Sequence, residues 1–359
     1  MRTPCPRCEM LPDSPPDEGV LYVVPPITEA RQSLGRYLDG AGMPYELVTH
    51  GVFAIPYGPG GVERLCSDYF CTLGALEARD TRTLTLKRGS IVSVCDILRA
   101  QPLSALLARM HGRWLSGIIA DERIVTYFHP IVRAEAPLEV YAYECLARGM
   151  ENDGSIIAPD RMFSVARDAD ILFNLDRACR LAAIRDARRC RGDAMVFINF
   201  NPTAIYKPEF CLRTTLEAME EAGFTPANVV FEVVESDHVG DVGHLLSVLD
   251  YYRERGFRVA LDDLGAGYGS LNLLSQLRPD YIKLDIQLVR NVDSDSYKAR
   301  ITENLLELAT RLDIPSIAEG VETVAEWQWL KAHGARLVQG YLFARPAAEP
   351  PRPVLPGRG

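Results

Sequence analysis

No apolar run in this sequence reaches the roughly 18 residues that span a bilayer, and Met1 to Asp13 lacks the apolar segment of a secretory signal. The expectation is a cytoplasmic chain with no membrane partner. An excess of positive charge is missing too: 39 Lys and Arg stand against 48 Asp and Glu, a net charge of -9. Phosphate backbones are gripped by clustered Lys and Arg, so no duplex nucleic acid is expected as a partner, while a small anion held through cations stays compatible. An even cysteine count is absent as well. Nine cysteines without a secretory signal do not suggest a disulfide framework, and Cys179 and Cys190 fall in apolar helical patterns where thiols act as small hydrophobes.

What is present is an ordinary globular composition, 47% hydrophobic and 24% charged, able to bury a full core. The 359 residues exceed the roughly 250 of a β/α barrel, so one large and one small domain are expected. Residues 1–19, Pro-rich and acidic around Cys5-Pro6-Arg7-Cys8, read as an irregular segment. Residues 20–89 read as a small α/β domain, with a strand at Leu21 to Val24, a helix at Ile27 to Ala41 and a strand pair over Tyr45 to Ile55 broken at Gly51. Residues 90–120 carry apolar positions at helical spacing, interrupted at Pro102, and read as a helical connector packed on the larger domain. Residues 348–359 form a Pro-rich tail.

Between 121 and 347 brief β-rich runs alternate with helix-length segments, the pattern of βα units. The runs are Val125 to Phe128, Val140 to Leu146, Met195 to Asn199, Val229 to Val234, Arg258 to Leu261, Tyr281 to Leu284, Ser316 to Ala318 and Leu337 to Leu342. They predict a parallel, TIM-like β/α barrel, a fold that places functional side chains at the C-terminal ends of its strands. Glu144, Asn199, Glu232, Asp262, Asp263, Lys283, Glu319 and Gln339 all fall in or just beyond such runs.

Carboxylates converging on one mouth repel each other unless cations neutralise them. Oxygen ligands without His or Cys favour hard ions, Mg²⁺ or Mn²⁺, with Ca²⁺ a poorer fit to octahedral geometry. The doublet Asp262-Asp263 suits two ions at once, and two ions suit in-line hydrolysis of a phosphodiester. Lys283 adds a fixed positive charge there, or else pairs locally with Asp285. The loop from Asp262 to Tyr268 carries Gly265 and Gly267, which permit backbone angles that suit rearrangement around metal or substrate. Glu235 stands where it would anchor that loop.

Several ordered stretches carry a family resemblance. They are Tyr143-Glu144-Cys145-Leu146-Ala147-Arg148, Asn199-Phe200-Asn201-Pro202, Phe231-Glu232-Val233-Val234-Glu235-Ser236, the Asp262 to Leu271 loop, Pro279 to Asp285, Ala318-Glu319-Gly320-Val321-Glu322 and Gln339-Gly340-Tyr341-Leu342-Phe343. From about Leu106 to Pro346 the chain resembles the EAL-domain phosphodiesterases that open cyclic di-GMP to its linear dinucleotide, pGpG. The resemblance implies that Glu144, Asn199, Glu232 and Asp262 hold one metal ion, that Asp262 is shared, and that Asp263 holds the second with Glu319 as a metal or water contact. It implies that Lys283 positions the attacking water, Gln339 is a polar contact, Leu146 and Arg148 meet substrate, Glu235 holds the Asp-bearing loop, and the chain forms a homodimer. Cys145 departs from the family alanine and predicts thiol sensitivity. His129 stands where the family carries Gln, and its titration near pH 6.5 predicts pH-dependent binding. Leu264, Ala266 and Val234 replace Phe, Thr and Thr, which bears on loop coupling and rate.

Two further readings stand beside a working phosphodiesterase. One is a catalytically inactive receptor that binds cyclic di-GMP and signals through a protein partner. The other concerns the N-terminal region, which lacks a Gly-Gly-acidic cyclase signature and reads as a regulatory input module. Its Cys5 and Cys8, with Cys66 and Cys71, offer four thiolates to a structural Zn²⁺, set against unrelated thiols or a redox-responsive pair.

Overall fold

β-branched and aromatic residues recur from Gly19 onward in short alternating runs, which favour pleated strands with one buried face. The computed structural model describes residues 5, 8–12, 15–49, 51–190, 194–234, 242–265 and 270–355. The chain divides into two compact units: Met10–Ala120 with Asp160–Leu172, and Met1–Glu9 with Asp121–Pro159 and Phe173–Gly359.

The smaller unit holds β1 (Gly19–Val24), β2 (Glu46–Thr49), β3 (Val52–Tyr57), β4 (Arg82–Lys87) and β5 (Gln101–Pro102). They form an antiparallel sheet in the order β2-β3-β1-β4-β5. Leu21 and Val23 of the central strand are buried in one cluster with Leu34 and Leu38 of helix Thr28–Gly40. The expected connector is different in kind. Between helices Val94–Leu98 and Leu103–His111, Pro102 ends β5, an edge strand, where a residue without an N–H is tolerated. Leu103 and Leu106 of the following helix, Leu103–His111, are buried in this unit's own core.

The larger unit contains β6 (Ile124–Arg133), β7 (Val140–Met150), β8 (Ile156–Ile157), β9 (Met195–Asn199), β10 (Val229–Val234), β11 (Arg258–Leu264), β12 (Tyr281–Leu284), β13 (Ser316–Ala318) and β14 (Leu337–Val338). The ladder runs β6-β14-β13-β12-β11-β10-β9-β7, closes through β6 and β7, and carries β8 on the outer flank of β7. Every predicted run supplies a strand of this ring, the last only through Leu337 and Val338, since residues 339–342 leave the strand. The all-parallel expectation fails at one place: β6 is antiparallel to both of its neighbours. A parallel crossover needs a dozen or more residues, and only 134–139 join β6 to β7, so the chain must reverse there.

Strand alternation then sorts the side chains into rows. Ile131, Ala142, Phe197, Val230, Ala260, Tyr281, Ile317 and Leu337 form one apolar layer inside the ring. Their neighbours, such as Tyr143, Ile198, Phe231, Leu261, Ile282 and Val338, face outward into the larger cluster shared with the helices. Two residues beyond each inner residue lie Glu144, Asn199, Glu232, Asp262, Lys283, Glu319 and Gln339. On β6, which runs the other way, the matching residue is His129, two places before Ile131 and opposite Glu144. The apolar layer is thus the floor of a polar ring. Among the described residues no helix is long and apolar enough to cross a membrane.

Candidate active site at the barrel mouth

Lys283 occupies the centre of this ring and is 1% exposed. Its Nζ lies 2.6 Å from Glu319 Oε1, 2.7 Å from Glu232 Oε1, 3.1 Å from Asp262 Oδ1 and 3.4 Å from Glu144 Oε1. The local pairing with Asp285 does not form; Asp285 instead caps helix Ile286–Val289, accepting the Gln287 N–H at 2.7 Å. Burial alone would lower the lysine, but Asp262, Glu144, Glu232 and Glu319 together hold it well above its ordinary value. It is an ammonium throughout the physiological range.

The acids split by environment. Burial drives Glu232 and Glu319 well above the usual carboxylate range and raises Asp262, despite Lys283. Burial and the neighbouring Asp262 push Asp263 up to about 6. Glu144 goes the other way: burial is outweighed by Lys283, His129 and a hydrogen bond from Gln339 Nε2 to Glu144 Oε2 at 2.9 Å.

Asp262 and Asp263 are consecutive, and a regular strand would send them to opposite faces. The β11 to β12 ladder slips between Leu261 and Leu264, and Asp263 takes φ 55°, so both carboxylates turn into the mouth. One oxygen each from Glu144, Glu232 and Asp262 lies within 4.8 Å of the others, and the same holds for Asp262, Asp263 and Glu319. The two groups meet at Asp262. Asn199 is half-buried opposite Glu232 on β9.

These residues fit hard divalent ions. The donors are all oxygens, five carboxylates face one ammonium, and both Glu232 oxygens are buried without a well-aligned hydrogen bond. Next to Gln339, Gly340 packs so tightly on Val321 that a Cβ there would stand 2.0 Å from the Val321 carbonyl oxygen, which only glycine avoids.

Around the acids, Leu146 and Arg148 continue the inward row of Glu144. The Arg148 guanidinium lies 5.5 Å from the Tyr127 ring centroid, across the β6–β7 hairpin. His129 Nδ1 is 4.0 Å from Glu144 Oε2, and its ring lies 6.1 Å from that of Tyr341, which is itself covered by Arg345 at 4.3 Å. Tyr127, Tyr341 and Arg345 were not among the expected contacts; Tyr341 lies inside a matched stretch, whereas Tyr127 and Arg345 lie outside all of them.

Three expectations change. Burial lowers His129 below its ordinary value, so it is neutral at neutral pH and the expected titration near 6.5 moves down. Cys145 faces the outer layer, away from the mouth, and burial raises its thiol well above the ordinary range, so it is not a reactive group of the site. The four cysteines offered to zinc divide between the units: Cys5 and Cys8 belong to the barrel unit, Cys66 and Cys71 to the smaller one. The metal-competent groups found among the described residues contain carboxylates only. Glu235 and Ala266, and the side chain of Val234, lie outside the described residues.

The proton balance gives a test. Acids raised on folding stabilise the native state below the unfolded carboxylate range, and that stability is lost as pH rises through the folded values. Glu232, Asp262, Asp263 and Glu319 act in this sense and Glu144 in the opposite one. The metal-free chain is therefore expected to melt on the order of 5 °C lower at pH 8 than at pH 5. Saturating Mn²⁺ should flatten that slope in calorimetry. A metal-free chain more stable at pH 8 would contradict the assignment.

Fold and mouth together define a β/α-barrel protein whose mouth gathers a carboxylate cluster able to hold a metal ion. The EAL domain model matches residues 113–346, and the chain belongs to the EAL-domain family. It is 31% identical over 233 residues, 64% of this chain and 45% of the relative, to the probable cyclic di-GMP phosphodiesterase PdeG of Escherichia coli. It is 38% identical to the c-di-GMP-bound structure of a standalone versatile EAL protein from Vibrio cholerae O395, covering 64% of this chain and 95% of that one with TM-score 0.58. The manganese and c-di-GMP complex of Klebsiella pneumoniae BlrP1 is 25% identical and covers 92% of this chain and 96% of its own, with TM-score 0.57. The chain spans 28% to 53% of the length of the first curated relatives it matches.

Proposed function

We propose that the barrel opens cyclic di-GMP to linear pGpG by metal-dependent hydrolysis, with two Mg²⁺ or Mn²⁺ ions. The observation that carries this reading is the pair of carboxylate groups sharing Asp262 around buried Lys283. Glu144, Asn199, Glu232 and Asp262 would hold one ion, and Asp262, Asp263 and Glu319 the other. When bound, such ions supply Lewis-acid polarisation of the phosphate and a water of lowered pKa.

The remaining work falls to the chain. Lys283 keeps a positive charge fixed beside the attacking water or a phosphate oxygen. Gln339 holds Glu144 in place through the 2.9 Å hydrogen bond. Arg148, steadied over Tyr127, offers its guanidinium to a phosphate, with Leu146 beside it. Neutral His129, whose Nε2 is buried without a partner, offers a hydrogen bond to a base. The smaller unit is the regulatory input, and the active form is a homodimer. The receptor alternative expects losses among the carboxylates, and none has occurred.

The test is incubation of the purified chain with cyclic di-GMP and Mg²⁺ or Mn²⁺, followed by chromatography. Linear dinucleotide that disappears with chelator is the expected result. Intact substrate at micromolar protein, with tight binding, would transfer the assignment to the receptor reading.

A further inference from the structure

Glu326, in the first turn of helix Val324–Ala332, is 1% exposed and takes no part in the chemistry above. With Thr323 it completes a capping box: Thr323 Oγ1 accepts the Glu326 N–H at 3.1 Å, and Glu326 Oε2 accepts the Thr323 N–H at 3.0 Å. A capping box asks for nothing more. Yet Oε2 also accepts the Glu322 N–H at 2.9 Å, and Oε1 accepts the Asn291 N–H at 2.9 Å, 35 residues away in the chain.

These bonds close a path between two parts of the mouth. Asp285, which caps helix Ile286–Val289, donates its N–H to the Leu264 carbonyl at 3.3 Å, directly beyond Asp262 and Asp263. That helix leads to Arg290 and Asn291, and Glu326 joins Asn291 to Glu322 and Thr323, just past Glu319. Arg290 holds the same segment a second time: its guanidinium donates to the Gly320 carbonyl at 3.2 Å and pairs with Glu322. Among the described residues the Glu319 carboxylate meets one cation, Lys283, so its distance from Asp262 and Asp263 is set by the backbone that carries it.

We propose that Glu326 is a positioning residue for Glu319, with Arg290 as a second clasp: together they hold Glu319 against Asp262 and Asp263 at the spacing that binds the second divalent ion. The inference rests on the two-ion reading of the mouth.

The convergence of donors explains why a carboxylate stands there. Three N–H groups meet two oxygens, each with two lone pairs, so every donor is satisfied. A carboxamide of the same size keeps one oxygen, and its NH₂ group would face either Asn291 or the Glu322 and Thr323 pair, donor against donor. Burial raises Glu326, but the N–H groups of Asn291, Glu322 and Thr323 outweigh it and hold the acid below its usual range. Glu326→Gln therefore cuts the path at one point and leaves the volume of the side chain in place.

The test is a double-mutant cycle read by Mn²⁺ calorimetry on the full chain without substrate. The unmodified chain should bind two ions. Glu326→Gln should keep one and weaken the other about tenfold, the effect of losing a group that orients a metal ligand. Glu319→Gln should weaken the same ion, and the double variant should match Glu319→Gln within about twofold, because Glu326 acts through Glu319. Arg290→Gln, at a partly exposed residue, should weaken that ion too, and it decides the matter if Glu326→Gln does not fold. Unchanged two-ion binding in either folded variant, equal weakening of both ions by Glu326→Gln, or additive losses in the double variant would overturn the proposal. A single ion on the unmodified chain would refute the two-ion reading itself, and the proposal with it.

Discussion

Asp262→Asn is expected to lower cyclic di-GMP hydrolysis on the order of 10³-fold, because one residue serves both carboxylate groups. Asparagine keeps the volume and one oxygen but removes the charge that either ion would see. Its effect on folding should be the reverse. Asp262 is held above its ordinary value by burial, and it adds to a like-charged cluster. The metal-free variant should therefore melt no lower than wild type at pH 8, while its stabilisation by Mn²⁺ largely disappears. Asp263→Asn is the comparison: Asp263 belongs to one group only and should cost less. Activity of Asp262→Asn within about tenfold of wild type would refute the shared-ligand assignment.

Lys283→Met should abolish turnover to a similar extent, with an opposite signature in stability. Methionine fills comparable space, but Glu144, Glu232, Asp262 and Glu319 lose the ammonium that lies within 3.4 Å of each. Removing one partner of a buried charge network costs about 3–5 kcal/mol. The loss should be large for the metal-free chain at pH 8 and smaller at pH 5, where the acids take up protons. Added Mn²⁺ should restore much of the stability by neutralising the same acids, without restoring rate. Equal recovery of both would mean that Lys283 is structural only. Urea denaturation at the two pH values and a hydrolysis assay at saturating Mn²⁺ separate the outcomes.

Much of this site was legible as pattern. An apolar residue at a strand end followed two places later by Glu, Asp, Lys or Gln marks an inward row, and Ala142–Glu144, Val230–Glu232, Tyr281–Lys283 and Leu337–Gln339 all obey it. His129 obeys it backwards because β6 is antiparallel, a reversal the predicted runs, ending at Phe128 and resuming at Val140, did not show. Harder to read were features that depend on which side chains meet. Pro102 looked like a helix break in a linker, yet pairing with β4 makes its segment an edge strand. Cys145 sits next to a metal-binding candidate in sequence and on the opposite face of the strand in space.

The order and polarity of the strand ends by themselves determined the barrel and the acidic ring at its mouth, since period-2 alternation leaves few other ways to bury such runs. Only the tertiary structure decided how those acids share charge: the slip in β11 that turns Asp263 beside Asp262, the burial that raises four carboxylates and lowers His129, and the reach of one lysine to four acids. Spacing in sequence encodes which face a residue takes, whereas proximity, burial and the pKa values that follow arise only when distant elements close around the same volume.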